Sequence, residues 1–233
     1  MASKRWIYKY LIDFIYPNRC PICGKFIRWD KLICDDCEKV LPLHNESLCE
    51  KCGKDKCLDH DQLYFDGIFT LMRYEDSGKE AIYRLKYDRE LNFAEYSAEK
   101  LCEVLTDKKL DSKIDCITAV PMNKSKKLER GYNQAERLAH FVAVKLKKPE
   151  NHKLICRTAD TAEQHTLSAD ERKAYAERIF YPSGNHSDIK GKTLLLCDDV
   201  YTTGSTMNAC SKILKESGAE KIYCIAIATT LLK

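Results

Sequence analysis

The sequence predicts an α/β protein, a mostly parallel sheet with helices on both faces, preceded by a small zinc-binding module. Three observations carry this. From Cys116 onward, apolar runs of strand length alternate with helical patterns, the order that builds parallel sheets. Residues 193 to 206 read as strand, acid pair, hydroxyl-rich turn and helix start. Seven of the thirteen cysteines lie between Cys20 and Cys57, six of them in close pairs.

The predicted organisation is a helix over 1–17, a zinc module over 18–62 and the α/β domain over 63–233. In the first segment Ile7, Leu11, Phe14 and Ile15 recur at helical spacing before Pro17, with Lys4, Arg5 and Lys9 nearby. Such a stripe suits a membrane surface, a partner or the protein's own core, and the last is its commonest use.

Cys20-Pro-Ile-Cys23-Gly and Cys34-Asp-Asp-Cys37 are two knuckles whose four thiolates suit one tetrahedral zinc ion. Gly24 supplies the left-handed turn a knuckle needs. Cys49-Glu-Lys-Cys52-Gly repeats the pattern, and Cys57 with His60 completes a second ligand set, with His44 as a competitor for the fourth place. Spacing leaves sequential and cross-braced pairings open. The other six cysteines are scattered in apolar or helical contexts. Clustered pairs plus lone thiols suit a reducing cytoplasm and metal binding rather than a disulfide framework.

The chain has 233 residues, 44% hydrophobic and 32% charged, with a net charge of +4. That balance fits a globular protein and excludes a global basic field, so any nucleic-acid contact must come from a local patch. No apolar run approaches the roughly 20 residues of a membrane span, and residues 1–17 lack the core and cleavage site of a secretory signal.

Strands are expected within Tyr64–Tyr74, Ile114–Val120, Leu154–Arg157, Ile179–Tyr181, Thr193–Cys197 and Ile222–Thr229. Helices are expected over Lys79–Tyr87, 91–106, Asn133–Leu146, Ala169–Glu177 and Met207–Ser217. Ser168 with Glu171 reads as a capping box, which explains Ser168 without a site.

Two stretches carry chemistry. Asp198 and Asp199 end a strand, and Thr202, Thr203, Gly204, Ser205 and Thr206 lead into a helix. A helix start offers free N–H groups and a favourable dipole to an anion, hydroxyls add donors, and Gly204 allows close approach. The acids repel a phosphate and suit sugar hydroxyls or a metal. The second stretch leaves the strand at Val120 as a basic loop with Lys124, Lys126, Lys127 and Arg130, ending in Gly131-Tyr132-Asn133-Gln134. Loops at the carboxyl ends of strands bind ligands in open α/β sheets. Arg130 and Asn133 read as ligand contacts and Lys124 as a pyrophosphate contact, whereas Lys126 and Lys127 read as solvated charge.

Residues 193–206 resemble the phosphoribosyl pyrophosphate (PRPP) signature of the type I phosphoribosyltransferases. That resemblance implies that Asp198 and Asp199 hold the ribose hydroxyls and that Thr202–Thr206 hold the 5′-phosphate. Nearly the whole chain resembles the ComF family, through the paired cysteines, Leu85-Lys86-Tyr87, Val120-Pro121, Arg130-Gly-Tyr-Asn-Gln-Ala-Glu136, Gln164, Leu167-Ser168, Arg172 and the Asp198 motif. It implies a zinc finger joined to a phosphoribosyltransferase domain, with single-stranded DNA and proteins of the competence machinery as partners. The chain departs from the family pattern at Tyr175, where an Asn is usual, and at His60, where a Cys is usual.

Two functional classes follow. As an enzyme, the domain would bind PRPP with Mg²⁺ bridging ribose and pyrophosphate oxygens, and Arg130 and Lys124 would stabilise the leaving pyrophosphate beside Asp198 and Asp199. As a binding module, zinc knuckles, Trp6, Tyr8, Tyr10 and Trp29 and local cations would contact single-stranded DNA, with the phosphate loop taking a terminal phosphate or nucleotide.

Overall fold

Apolar β-branched runs build strands here, and both faces of the central ones are buried, so helices must cover the sheet on both sides. The computed structural model describes residues 18–44, 48–55, 60, 63–88, 90–158, 175–176 and 178–230. In chain order its elements are α1 (Asp35–Val40), β1 (Gly67–Arg73), α2 (Asp76–Tyr87), α3 (Asn92–Asp107), β2 (Cys116–Ala119), α4 (Lys124–Arg130), α5 (Gln134–Leu146), β3 (Ile155–Arg157), β4 (Phe180–Pro182), β5 (Thr193–Tyr201), α6 (Ser205–Glu216) and β6 (Lys221–Thr229). Strands β1, β6, β5 and β2, in that spatial order, form one parallel sheet. Strands β3 and β4 form a separate antiparallel pair.

Side chains alternate across a strand, and the core divides accordingly. Leu195 and Cys197 of β5, with Ile225 and Ile227 of β6, face the core built on α2, α3 and α5. Leu194, Leu196, Ile222 and Cys224 face the opposite core, with Met207, Cys210 and Leu214 of α6. The α/β prediction therefore holds. Cys20, Ile22, Ile33, Cys37 and Leu41 belong to the first of these cores, so the first knuckle is packed on the sheet domain rather than cored separately.

Several boundaries move. The basic stretch after Val120 is not a loop: residues 124–130 are the helix α4. Asn123 caps it through Ser125 N, Gly131 ends it at φ 82° with its N–H on Lys127 O, and Lys127 pairs with Glu136 at 2.6 Å. Caps and one ion pair thus overcome the repulsion of a lysine-rich turn. Strand β5 does not stop at Cys197 but carries both acids to Tyr201, because β6 pairs with it throughout, up to Tyr201↔Thr229. Helix α2 starts three residues earlier than its apolar spacing shows. The predicted helix over 1–17 lies outside the described residues, as do Cys57, Gln164, Leu167, Ser168, Glu171 and Arg172. Tyr175 is described and packs against the α6-side core. No helix of the described residues is long and apolar enough to cross a membrane.

Candidate functional site

Two of the three knuckles, the first at Cys20 to Lys25 and the second, glycine-bearing one at Cys49 to Lys54, have the same backbone. Gly24 N donates to Cys20 O at 2.9 Å and Cys20 N to Lys25 O at 2.8 Å; Gly53 N donates to Cys49 O at 2.7 Å and Cys49 N to Lys54 O at 3.0 Å. Both glycines have positive φ, 71° and 66°. This fold aims paired thiols at one point. The ligand atoms of Cys20, Cys23, Cys34 and Cys37 all lie within 4.8 Å of one another, and so do those of Cys49, Cys52 and His60. Among the described residues the grouping is sequential, not cross-braced, with Cys57 outside them. His44 is not in the second group: its Nε2 lies 3.0 Å from Thr70 Oγ1. These donor sets suit structural zinc, four thiolates in one and, among the described residues, two thiolates with an imidazole in the other. The chain is expected to carry two zinc ions by elemental analysis, and Cys23→Ser one. A value of two for that variant would remove the four-thiolate site.

A cleft of ≈ 700 Å³ opens at the carboxyl ends of β2 and β5. Val120 N donates to Cys197 O at 3.0 Å, so the exit of β2 lies beside the acid pair. Asp198 and Asp199 both line the cleft and are half-buried. Strand alternation sends them to opposite sides of the sheet. Asp199 meets Lys86 of α2 at 2.8 Å. Burial opposes ionisation of Asp199, but the Lys86 ammonium outweighs it and lowers its pKa. Burial likewise works against the Lys86 cation, and Asp199 reverses that. Among the described residues Asp198 has no such ion pair and accepts only from Asp199 N, at 2.8 Å; burial first, then the charge of Asp199, push its pKa well above the ordinary carboxylate value.

The hydroxyl loop forms the next wall. Thr202, Thr203, Ser205 and Thr206 line the cleft, and Thr203 Oγ1 lies 2.9 Å from Ser205 Oγ. Gly204 has φ 84°, and a Cβ there would lie 2.7 Å from Tyr201 Oη, so glycine is required. The loop sits at the N-terminus of the twelve-residue α6, where first-turn N–H groups and the dipole favour an anion.

The remaining wall comes from α2, α4 and the start of α5. Arg130 lines it, with Nη2 donating to Tyr87 Oη at 3.2 Å and Nη1 to Gln134 Oε1 at 3.3 Å. Two expected contacts are placed otherwise. Asn133 borders the cleft but is 2% exposed, with Oδ1 accepting from Ala135 N and Nδ2 donating to Val120 O. It fastens α5 to the end of β2. Lys124 is exposed at the start of α4 and does not line the cleft, whereas Lys126 does. Helical spacing, invisible while the stretch read as a loop, turns Lys126 and Arg130 to one side.

Lys86 and Tyr87 stand in the Leu85-Lys86-Tyr87 motif without an expected role, and Tyr83 and Lys54 carry no sequence signal of a site. The tyrosines are 56% and 50% exposed at the cleft rim, with ring centroids 4.8 Å apart. Their i, i+4 spacing on α2 was readable, but not what the helix faced.

Residues 11–66 match the double zinc ribbon domain, and residues 156–233 match the phosphoribosyl transferase domain. The chain is 29% identical to the DNA utilization protein YhgH of Escherichia coli over 97% of this chain and 96% of that one. It is 26% identical to Competence protein F of Haemophilus influenzae, covering 84% and 90% of the two chains. It is 28% identical to Competence protein ComFC of Bacillus subtilis, covering 81% and 80%.

Proposed function

We propose that this ComF-like chain, a double zinc ribbon joined to a phosphoribosyltransferase-fold domain, binds PRPP in its cleft and acts in DNA utilisation. The observation that carries the reading is the division of one cleft. Asp198 and Asp199 supply acceptors for ribose hydroxyls, and the Thr202–Thr206 loop at the start of α6 supplies donors for a 5′-phosphate. Lys126, Arg130 and Arg157 supply cations for the pyrophosphate. Mg²⁺ would enter with PRPP beside Asp198 and Asp199 and would supply charge neutralisation for the phosphates, as that ion does at sites with few protein ligands.

In the transfer reaction the bond from the anomeric carbon to pyrophosphate breaks as a base nitrogen attacks. Positive charge grows on the sugar beside the acids, and negative charge on the leaving group beside Arg130. No protein nucleophile is required. Calorimetry with PRPP and Mg²⁺ tests binding, and product analysis with a panel of bases tests transfer. Absence of PRPP binding by the zinc-loaded chain overturns the reading.

A second reading has its own observation. The half-exposed Tyr83 and Tyr87 rings at the rim, with the Arg130 guanidinium 4.9 Å from the Tyr87 centroid, offer a face on which a base of single-stranded DNA would stack. A gel-shift titration at two salt concentrations tests it. No retardation at low salt removes single-strand binding.

A further inference from the structure

The two knuckles share the sequence Cys-x-x-Cys-Gly-Lys, Cys20 to Lys25 and Cys49 to Lys54, and the same turn. Their final lysines have opposite fates. Lys25 is exposed and lies 3.5 Å from Asp36. Lys54 is 6% exposed and crosses into the sheet domain, where its Nζ donates to Thr202 O at 2.5 Å and to Thr230 O at 2.8 Å. A buried ammonium is costly unless its donors are satisfied, and here they are spent on carbonyls at the carboxyl ends of β5 and β6.

Thr202 is the first residue of the hydroxyl loop, and the neighbouring contacts point the same way. Tyr201 Oη donates to Cys52 O at 2.9 Å, and the Tyr201 ring lies under Lys54 Nζ at 4.6 Å. Gly204 packs against that ring. On the other side the knuckle is pressed on β1: Ile68 N donates to Glu50 O at 2.9 Å, and a Cβ on Gly53 would lie 2.7 Å from Ile68 Cγ2. The first knuckle has no such link to the loop among the described residues; its helix α1 is tied to α2 and α3, by Ser77 Oγ on Val40 O and Tyr96 Oη on Glu38 Oε1.

We propose that the second knuckle and the hydroxyl loop form one mechanical unit, with Lys54 as the positioning residue, so that metal held by Cys49, Cys52 and His60 and an anion held by the loop stabilise each other. The anion half of this statement rests on the PRPP reading; the coupling of knuckle to loop does not. Zinc fixes the turn that presents Lys54 Nζ and Cys52 O, and these fix Thr202 and Tyr201. The free energy of such coupling is reciprocal.

Hydrogen exchange by mass spectrometry on the full zinc-loaded chain tests the coupling without any ligand. Cys49→Ser, which weakens the second site, and Lys54→Met, which keeps every ligand, are each expected to speed exchange over 201–206 about fivefold or more, the lower end of ordinary coupling factors. Peptides of α3 and α5 serve as the folding control and stay unchanged, as does the 201–206 peptide in Cys23→Ser. Lys54→Met is expected to keep two zinc ions. Unchanged exchange over 201–206 in Lys54→Met overturns the proposal, as does an equal response to Cys23→Ser.

The reciprocal arm uses ribose 5-phosphate as the probe. At saturation it is expected to slow zinc release to a chromogenic chelator about fivefold at one of the two sites, and not in Lys54→Met. If neither ribose 5-phosphate nor PRPP binds while the exchange result stands, the PRPP reading fails and the coupling survives. If ribose 5-phosphate binds and release is unchanged, the coupling fails and the PRPP reading survives.

Discussion

Asp198→Asn is expected to raise the melting temperature at pH 7.5 and, in the same molecule, to weaken PRPP binding at least tenfold. Both effects come from one environment. Burial, and then the neighbouring Asp199 charge, raise the pKa of Asp198 well above the ordinary carboxylate value. A carboxyl whose folded pKa is raised binds more protons folded than unfolded. Its protonated form fits the fold, so stability is highest below the unfolded value of ~3.9 and falls as pH rises through the folded value. Asparagine keeps the shape and removes the charge, so its advantage over Asp198 should grow from pH 4.5 to pH 7.5. Each 1 kcal/mol recovered is worth about 2–4 °C in a chain of this size. Binding moves the other way, because hydrogen bonds to a charged group contribute about 1.5–3 kcal/mol, roughly tenfold or more in affinity. Adding Asp199→Asn should leave no PRPP binding detectable by calorimetry. A melting temperature at pH 7.5 equal to or below that of the unmodified chain would show that the buried acid carries no stored cost.

That cost explains why the acid pair was readable as a site while its geometry was not. An acid pair, four hydroxyl residues and a glycine after an apolar run stand out in sequence, since nothing in a plain strand-to-helix turn needs them together. The zinc knuckles stand out for the same reason, as thiols at ligand spacing. What the sequence could not supply was which elements face each other. Lys86 lies 113 positions before Asp199, and only the docking of α2 beside the carboxyl end of β5 makes them partners. Asn133 carried the right residue type for a ligand contact, but a cap and the carbonyl of Val120 consume its side chain. Lys54 was hidden by its likeness to Lys25: identical knuckles predict identical surroundings, and only packing against Tyr201 separates them. Residues 124–130 misled for a local reason, since clustered lysines read as an unstructured loop until Asn123, Gly131 and Glu136 are seen to cap and pair them.

Lys86→Met is expected to be the most destabilising single change at the cleft. The Lys86 and Asp199 side chains are 22% and 18% exposed, and their oppositely charged ends lie 2.8 Å apart. Removing one partner of this largely buried pair leaves the other charge uncompensated, at a cost of about 3 kcal/mol, the lower end for buried pairs, which corresponds to a fall in melting temperature on the order of 10 °C. The pH dependence follows from Asp199. Its folded pKa is lowered: burial opposes this, and Lys86 prevails. Such a carboxylate contributes stability above its unfolded value of ~3.9, and that contribution is lost as pH falls through the folded value. The deficit of Lys86→Met should therefore be largest near neutrality and shrink as Asp199 in the variant, now governed by burial and by Asp198, takes up a proton on acidification. The double variant Lys86→Met with Asp199→Asn separates charge from packing. If the loss is electrostatic, the second substitution should recover most of the melting temperature, because a neutral pair leaves no buried charge unpaired. If the double variant melts as low as Lys86→Met alone, the lysine stem rather than its ammonium holds α2 against β5.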